Sequence, residues 1–494
     1  MVSVKYVSTR DGSVEVSSSY GIIKGISEEG GLFIPKVLPN NIDVESLVGK
    51  TYKEIALDVL SKFLSDFSID DLKECVDRAY DNKFHVHDLV SLKKANNSFF
   101  LELFHGPTIA FKDMALCMLP QLMNVARKNI GFNRDVVILT ATSGDTGKAA
   151  LEGFANVDNT KIIVFYPKNG VSKIQESQMI TQEGENTYVV GIDGNFDDAQ
   201  SNVKEMFTSK EMKDHLNSLG YEFSSANSIN IGRLIPQVVY YVYSYVKLLE
   251  KKEIDMGEEI NVVVPTGNFG NILAAYYAKH MGIKIDKLIC ASNENNVLAD
   301  FLKVGIYDKR REFIKTISPS MDILISSNLE RLLYEIVDRD PSKVRKYMND
   351  LKKKGVYELN ENEKNKLQSF YGAWVSEEET LDTVKKVYER FNYVIDTHTA
   401  VGYRAYEKYL KDTDDNKKTI IASTASPFKF TKSVMAGLGE VVEGKDDFQL
   451  LKELSEKYGM DIPKAVKGLD KRKILHDRLC HKDHMKDMVK EILA

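Results

Sequence analysis

The chain has 494 residues, a formal net charge of −5, and 43% hydrophobic and 28% charged residues. This length predicts two or three domains, and the nearly balanced charge argues against a nucleic-acid partner. The four cysteines are widely spaced, no apolar run is long enough to span a membrane, and residues 1–5 lack a signal-peptide core. These features predict a cytoplasmic protein without a disulfide framework, a zinc site or a membrane anchor.

A small mixed domain is predicted for the first 95 residues. Gly30 and Gly31 precede a short apolar run that ends at Pro35, which predicts a turn leading into a strand. Apolar residues at helical spacing predict helices over about 51–65 and 69–82.

Lys112 stands between a turn and an apolar helix. Gly106-Pro107 turn the chain before it, residues 109–111 bring apolar surface up to it, and a buried helix is predicted from Met114. One interpretation is a lysine at the edge of the core whose ammonium reaches water. The other is a lysine whose pKa is lowered by its apolar surroundings, as the nucleophile of a Schiff base requires.

A strand, a loop and a helix are predicted at 135–140, 141–147 and 148–154. Free backbone N–H groups and the helix dipole make such a loop an anion site, although a simple capped turn has the same pattern. A nucleotide P-loop is excluded because Thr142 and Ala149 replace the required glycine and the magnesium-binding serine or threonine.

The next predicted strands, at 161–167 and 188–192, flank a helix at 172–183. This βαβ alternation indicates a parallel sheet. Arg233 follows, near the start of a strongly apolar helix at 234–249. It is either an ordinary surface arginine or a fork for a substrate phosphate.

The pattern recurs with a strand at 261–265, a loop at 266–271 and a helix at 272–280. Two glycines in this loop allow a phosphate to approach the backbone, but a structural turn explains them equally well. Further strands are predicted at 287–291, 393–396 and 419–422, and the residues after 430 are predicted to be helical. Because ligands collect at the carboxyl ends of parallel strands, the loops 141–147, 266–271 and 423–427 are expected to face one crevice, opposite Lys112.

Several motifs, in the same order along the chain, resemble the threonine synthase family of fold-type-II enzymes that use pyridoxal phosphate (PLP). The resemblance runs from about residue 5 to about residue 432, through segments 6–10, 30–35, 104–113, 141–147, 227–233, 266–271 and 423–429. It implies an α/β fold with two open, mostly parallel α/β domains and a small N-terminal α+β domain. The implied boundaries are 1–95 for the N-terminal domain, 133–239 for the small domain, and 96–132 with 240–494 for the large PLP-binding domain, which has a helical insertion at about 337–380.

The resemblance also implies residue roles. Lys112 forms the Schiff base with the cofactor, Asp145 lies beside the ring hydroxyl, and Thr424 faces the pyridine nitrogen. A hydroxyl at that nitrogen indicates chemistry that does not depend on a fully charged pyridinium. The cofactor phosphate is assigned to Gly267, Asn268, Phe269, Gly270 and Asn271, and the substrate carboxylate to Thr142, Ser143, Gly144 and Thr146.

The implied reaction converts O-phospho-L-homoserine and water to L-threonine and phosphate, with Lys112 as the base. The substrate phosphate is expected to contact one or more of Asn230, Arg233, Lys148, Ser143 and Lys429. The alternatives are another fold-type-II PLP reaction, such as a serine or threonine dehydratase, and a PLP-binding protein that has lost catalysis. The chain is expected to be a monomer or a homodimer. Ser426 and Phe428 depart from the family pattern and bear on the pocket shape, and His398 is expected to be structural.

Overall fold

The computed structural model describes residues 4–142, 144–168 and 170–494. Its N-terminal part contains a three-stranded antiparallel sheet in the order Glu15–Val16, Tyr6–Ser8, Phe33–Pro35. The predicted glycine turn therefore does lead into a strand. Three helices belong to the same part of the chain: Ser18–Lys24, Tyr52–Phe63 and Ile69–Ala79.

A six-stranded sheet forms the centre of the largest part of the molecule. Its strand order is Phe370–Trp374, Ile285–Ser292, Ile260–Pro265, Thr419–Ser423, Ser98–Glu102, Ser91–Ala95. All neighbouring strands are parallel except the last pair. The central strands are continuous apolar runs because helices cover both faces of the sheet. The parallel arrangement places the carboxyl ends of three central strands side by side, and the loops that follow those strands carry the predicted site.

The helices around this sheet confirm most of the predicted helical segments, and Ile231–Glu250 is buried along nearly its whole length. No helix within the described ranges is long and apolar enough to cross a lipid bilayer. The α-helices are Lys112–Leu116, Met118–Asn129, Ile231–Glu250, Gly270–Met281, Val297–Val304, Leu329–Ile336, Pro341–Lys354, Glu361–Asn365, Glu377–Phe391, Thr397–Thr413, Thr431–Gly437 and Asp447–Tyr458. Two short 3-10 helices, Pro319–Met321 and Pro427–Lys429, lie near the carboxyl ends of the strands.

A second, five-stranded sheet is entirely parallel. Its strand order is Arg478–His481, Thr187–Asp193, Thr160–Pro167, Asp135–Ala141, Tyr221–Ser224. The predicted βαβ alternation is confirmed, and with it the fold class. The helices of this part are Asp145–Phe154, Lys173–Ile180, Phe196–Thr208, Lys210–Ser218 and Met485–Leu493.

Three regions differ from the sequence expectation. The expected helical insertion at 337–380 contains Phe370–Trp374, an edge strand of the six-stranded sheet that is masked in sequence by its charged neighbours. The segment 393–396 joins no sheet in the described chain: it fills a hydrophobic cluster, and Asp396 caps the helix Thr397–Thr413. Finally, residues 478–481 form a strand rather than a helix and complete the five-stranded sheet.

Candidate active site

Lys112 is the first residue of a short helix, and the chain that leads to it is fixed to the end of a central strand. Ala110 pairs with Ala425 in an isolated antiparallel bridge, and Phe111 N donates to Thr424 O at 2.8 Å. Lys112 and Thr424, both predicted to contact the cofactor, therefore lie on directly hydrogen-bonded segments.

The Lys112 side chain is only 11% exposed. Its Nζ lies 3.4 Å from Asp145 Oδ2 and 3.2 Å from Ser320 Oγ. Burial lowers the pKa of Lys112; Asp145 opposes this effect, while the positive charges of Lys429 and Arg233 add to it. These surroundings favour a reactive lysine over a lysine whose ammonium reaches water at the edge of the core.

Asp145 is held between two lysines. Lys429 Nζ lies 3.2 Å from Asp145 Oδ1, on the opposite side of the carboxylate from Lys112, and Gln175 Nε2 donates to the same oxygen at 2.9 Å. Burial alone would raise the pKa of Asp145, but the charges of Lys429 and Lys112 hold it well below its usual range. Asp145 is therefore an ionised carboxylate that bridges Lys112 and Lys429.

The turn before Lys112 is built around the buried Asp113. Its carboxylate accepts hydrogen bonds from Thr108 N at 2.8 Å and Thr108 Oγ1 at 2.5 Å. A Cβ on Gly106 would lie 2.6 Å from Asp113, so this position requires glycine. Burial raises the pKa of Asp113 to about 6. Lys429 Nζ also donates to Thr108 O at 2.9 Å, which ties this turn to Asp145 through one side chain.

The loop at 142–147 is shaped by Thr142. Its Oγ1 accepts hydrogen bonds from Gly144 N and Gly147 N, each at 2.9 Å. Gly144 has a φ of +134°, and a Cβ there would lie 2.4 Å from Gln175. Both facts require glycine, because other residues rarely adopt this φ and have no room here. The Thr142 hydroxyl is used by the loop itself, which makes Thr142 a support for the loop.

Two backbone N–H groups lie at the end of this loop, those of Asp145 and Thr146. Among the described residues, the backbone N–H groups of Asp145 and Thr146 donate no hydrogen bond, and they begin the ten-residue helix Asp145–Phe154. An anion at this position is favoured by the free donors and the helix dipole. Ser143, a predicted substrate contact, lies outside the described residues.

The loop at 266–271 presents its backbone donors in a similar way. Phe269 has a φ of +62° just before the helix Gly270–Met281, and Leu273 N donates to Phe269 O at 3.1 Å. Within the described chain, the N–H groups of residues 267–272 donate no hydrogen bond. A Cβ on Gly267 would lie 2.5 Å from Ser320 O. This cradle of free N–H groups at a helix start fits the phosphate of the expected cofactor.

Two carbonyl oxygens of the same loop accept hydrogen bonds from segment 326–328. Ser326 Oγ donates to Gly267 O at 2.8 Å, and Asn328 donates to Asn268 O from both its N, at 3.1 Å, and its Nδ2, at 3.0 Å. Ser327 Oγ contacts Asn268 Oδ1 at 3.1 Å. Segment 326–328 thus holds the backbone at residues 267 and 268, while the N–H groups of residues 267–272 have no acceptor in the described chain.

Asn271 has one bonded and one unused side-chain atom. Its Oδ1 accepts hydrogen bonds from the hydroxyls of Tyr240, at 2.7 Å, and Tyr241, at 2.5 Å. Its buried Nδ2 has no hydrogen-bond partner in the described part of the chain. A buried amide left without an acceptor costs free energy, so this atom indicates a ligand acceptor at the loop.

Arg233 is the other buried donor. It is 3% exposed, its Nη1 donates to Ala226 O at 2.9 Å, and its Nε has no partner among the described residues. Burial lowers the pKa of Arg233 to about 10. Within the same residues no carboxylate forms an ion pair with it. A buried guanidinium without an acid is typical of a site for an anionic ligand.

The other candidates for the substrate phosphate are bonded within the fold. Asn230 uses its whole amide: Nδ2 donates to Ile22 O and Ser225 O, each at 2.9 Å, and Oδ1 accepts from Gly232 N. The Nζ of Lys148 pairs with Glu152 at 3.2 Å and also contacts Gln182, and burial lowers its pKa.

Sequence reasoning missed Ser320 as a site residue. Its Oγ lies 3.2 Å from both Lys112 Nζ and Asp145 Oδ2. Its backbone N donates to His398 Nε2 at 3.2 Å, while His398 Nδ1 lies 2.9 Å from Asp396 Oδ2. This is the hydrogen-bonded structural role expected for His398. No sequence pattern singles out Ser320, because a 3-10 helix far along the chain places it there.

Three family models match the chain in order. They are "Threonine synthase N terminus" over residues 5–80, "Pyridoxal-phosphate dependent enzyme" over residues 86–425 and "Threonine synthase, C-terminal" over residues 399–475. The second of these covers more than half of the chain, and together they confirm the resemblance seen in the motifs.

Similar proteins and solved structures agree with these models. Threonine synthase of Schizosaccharomyces pombe is 38% identical over 482 residues, which cover 91% of this chain and 92% of its own. Human threonine synthase-like 1 is 40% identical over 88% of this chain, which spans only 60% of that relative's length. PLP-bound threonine synthase from Brucella melitensis is 35% identical with a TM-score of 0.88 and covers 99% of both chains, and yeast threonine synthase is 32% identical with a TM-score of 0.88, covering 99% and 98%. The chain belongs to the threonine synthase family of PLP-dependent enzymes.

Proposed function

We propose that the chain converts O-phospho-L-homoserine and water to L-threonine and inorganic phosphate, with PLP as its cofactor. The observation that carries the proposal is the buried array of Lys112, Asp145 and Lys429 beside the buried Arg233, for which the described residues supply no acid partner. One donor cradle at 267–272 and one unpaired guanidinium match two phosphates, one on the cofactor and one on the substrate.

The proposal assigns the cofactor to the crevice between the two parallel sheets. Lys112 would hold it covalently, the loop from Gly267 to Asn271 would bind its phosphate, and Thr424 would face its ring nitrogen. Asp145 would lie beside the ring hydroxyl, because its carboxylate is 3.4 Å from Lys112 Nζ. When bound, PLP supplies an electron sink for the carbanions that form at the substrate α- and β-carbons.

Lys112 would take up and return protons at the substrate α- and β-carbons. A lysine with a lowered pKa releases its proton more readily than an ordinary lysine and then accepts one from carbon. Lys429 would hold Asp145 ionised while the charge of Lys112 changes, since it contacts the other oxygen of the same carboxylate. Ser320 would orient the amine through its hydroxyl.

The substrate would be oriented by its two anionic ends. We assign the phosphate to Arg233, because Lys148 and Asn230 are bonded within the fold and Lys429 is held by Asp145 and Thr108. Asn230 then supports Arg233 through the bond from Arg233 N to Asn230 O at 2.9 Å. The substrate carboxylate is assigned to the loop from Thr142 to Thr146, with Thr142 and Gly144 shaping the loop and the free N–H groups at its end as donors.

The proposal keeps the three expected domains, with one change. The small domain comprises residues 133–239 and also residues 478–494, because the strand Arg478–His481 pairs with Thr187–Asp193. A cytoplasmic location is part of the proposal and is supported by four free cysteines, three of them buried. A monomer or homodimer is proposed, and sedimentation of the purified protein tests it.

The test is an absorbance and product assay on the purified protein with PLP. The wild type is expected to show the visible band of lysine-bound PLP and to release threonine and phosphate from O-phosphohomoserine in equal amounts, and Lys112→Ala is expected to lose both. Lys148→Met, which changes another buried lysine nearby, is the control and should keep the band. A band without phosphate release would refute the reaction and leave the alternatives: formation of a 2-oxo acid from serine or threonine would indicate a dehydratase, and no turnover would indicate a PLP-binding protein. Absence of the band would refute the cofactor site.

A further inference from the structure

Arg331 is a fully buried arginine that the proposed reaction does not use. Its side chain is 0% exposed, and its three donor groups all have acceptors. Nε donates to Phe33 O at 2.9 Å, Nη2 donates to Ile229 O at 2.6 Å, and Nη1 contacts Asn328 Oδ1. Burial lowers the pKa of Arg331. Desolvating this charge is costly, and the hydrogen bonds to three acceptors offset that cost.

The three acceptors belong to three separate parts of the molecule. Phe33 is in the N-terminal sheet, Ile229 lies just before the start of the helix that carries Arg233, and Asn328 holds the loop at 266–271. These segments are far apart in sequence, and the planar guanidinium fixes their relative directions because its donors have a rigid fork geometry.

The connection to the loop is direct and oriented. Asn328 donates through Nδ2 to Asn268 O, so its Oδ1 is free to accept from Arg331. The bond from Arg331 thus fixes which way the amide of Asn328 points. With Asn268 O held on one side, the free N–H groups of residues 267–272 are held on the other.

The preceding residue, Glu330, attaches the N-terminal segment to the same helix. Glu330 accepts hydrogen bonds from Thr9 Oγ1 at 2.6 Å and from Arg10 Nε and Nη2 at 2.8 and 2.6 Å. Glu330 and Arg331 therefore clamp the N-terminal sheet to the helix Leu329–Ile336, directly behind the loop.

We propose that Arg331 is a positioning residue that sets the shape of the phosphate-binding loop at 266–271 and links it to the N-terminal domain. This inference rests on the proposed function, in which that loop binds the cofactor phosphate. It assigns the N-terminal domain a role in cofactor affinity, although none of the site residues described above comes from that domain.

The test compares PLP with pyridoxal, which has the same ring and aldehyde but no phosphate. Arg331→Met should weaken the affinity of the apoprotein for PLP about 10- to 100-fold, the range found for residues that orient direct ligands of a metal. The affinity for pyridoxal should change less than about threefold, since the ring contacts lie elsewhere. A general loss of folded structure would weaken both ligands alike.

Arg339→Met is the matched control. Arg339 lies just beyond the same helix, its Nη1 donates to Pro35 O at 3.0 Å and also contacts Lys36 O, and its other groups pair with Glu335. It thus joins the same N-terminal strand without contacting Asn328. Its substitution should leave the preference for PLP over pyridoxal unchanged.

Arg331→Lys keeps the charge but cannot reach three acceptors. This variant replaces Arg331→Met in the test if Arg331→Met does not fold. Loss of the preference for PLP in either variant, with Arg339→Met unaffected, would support the proposal. Equal weakening of PLP and pyridoxal, or an unchanged preference, would overturn it. If the wild type itself shows no preference for PLP over pyridoxal, the assignment of the loop fails first, and with it the proposed cofactor site.

Discussion

Replacing Arg233 with methionine should raise the free energy of unfolding of the ligand-free protein and lower kcat/KM for the phosphorylated substrate. Burial lowers the pKa of Arg233 from its usual 12.5 to about 10. At about 1.4 kcal/mol per pKa unit, keeping this charge buried costs about 3 kcal/mol of folding free energy. Methionine removes that cost and loses the hydrogen bond to Ala226 O, worth about 1 kcal/mol. The net expectation is a gain of about 1–3 kcal/mol in the free energy of unfolding.

The same substitution should impair the use of a phosphorylated substrate. Two charge-assisted hydrogen bonds to a phosphate contribute at least about 3 kcal/mol, so kcat/KM for O-phosphohomoserine should fall at least about 100-fold, while the visible band of bound PLP should persist.

The assay is urea unfolding of the ligand-free variant and wild type, with and without inorganic phosphate, followed by steady-state kinetics. Phosphate should stabilise the wild type more than Arg233→Met, because the variant keeps the N–H groups of residues 267–272 but loses the Arg233 guanidinium. The control is Arg134→Met, an arginine that is 45% exposed and paired with Glu222, which should change stability by less than about 1 kcal/mol and leave kinetics unaltered. A variant that is less stable than wild type, with kcat/KM within about fivefold of it, would refute the anion role of Arg233.

Three further predictions follow from the same contacts. Lys429→Met should leave Asp145 without its second lysine and lower kcat by about 100-fold or more, whereas Lys429→Arg should recover part of the loss; equal kcat for both variants and the wild type would argue against the ion pair. Asp113 has its pKa raised to about 6 in the fold, so the folded state binds the extra proton and stability should fall by up to about 3 kcal/mol as pH rises from about 4 to 6. Asp113→Asn should remove that loss, measured by urea unfolding across the pH range, and an unchanged slope would assign it to other groups. Gly267→Ala places a methyl group 2.5 Å from Ser320 O, so it should weaken PLP binding by at least about tenfold, as fluorescence titration of the apoprotein would show; unchanged affinity would mean that the loop is not confined.

Much of the framework was predictable because local patterns agreed with the fold. The apolar runs at 135–141 and 260–265 are central strands, and their glycine-containing loops follow directly in sequence. The local pattern singled out Lys112 as a candidate but left open whether its ammonium reaches water, and the resemblance of the other motifs favoured the Schiff-base role. Sequence patterns could not predict which distant segments come into contact. Ser320, Lys429 and Asp145 meet around Lys112 only because four separate segments converge.

The errors have physical causes of the same kind. The strand Phe370–Trp374 is an edge strand between charged helices, where alternation is short and composition is dominated by its neighbours. The strand Arg478–His481 is only four residues long and mostly exposed, so its hydropathy gives no strand signal. The expected substrate contact of Asn230 stays a prediction, although its amide is bonded to backbone groups as a helix cap in this structure.

The edge strand Arg478–His481 is the last strand of the five-stranded sheet to be synthesised. Its partner Thr187–Asp193 precedes it by roughly 280 residues, which takes about 15–60 s to translate at typical rates. Throughout that interval one edge of a parallel, largely apolar sheet exposes unpaired backbone groups, the feature that templates wrong strand pairing. The nascent chain therefore exposes this sheet edge until its last segment is made, and a chaperone that covers the edge, or faster synthesis, should raise the yield.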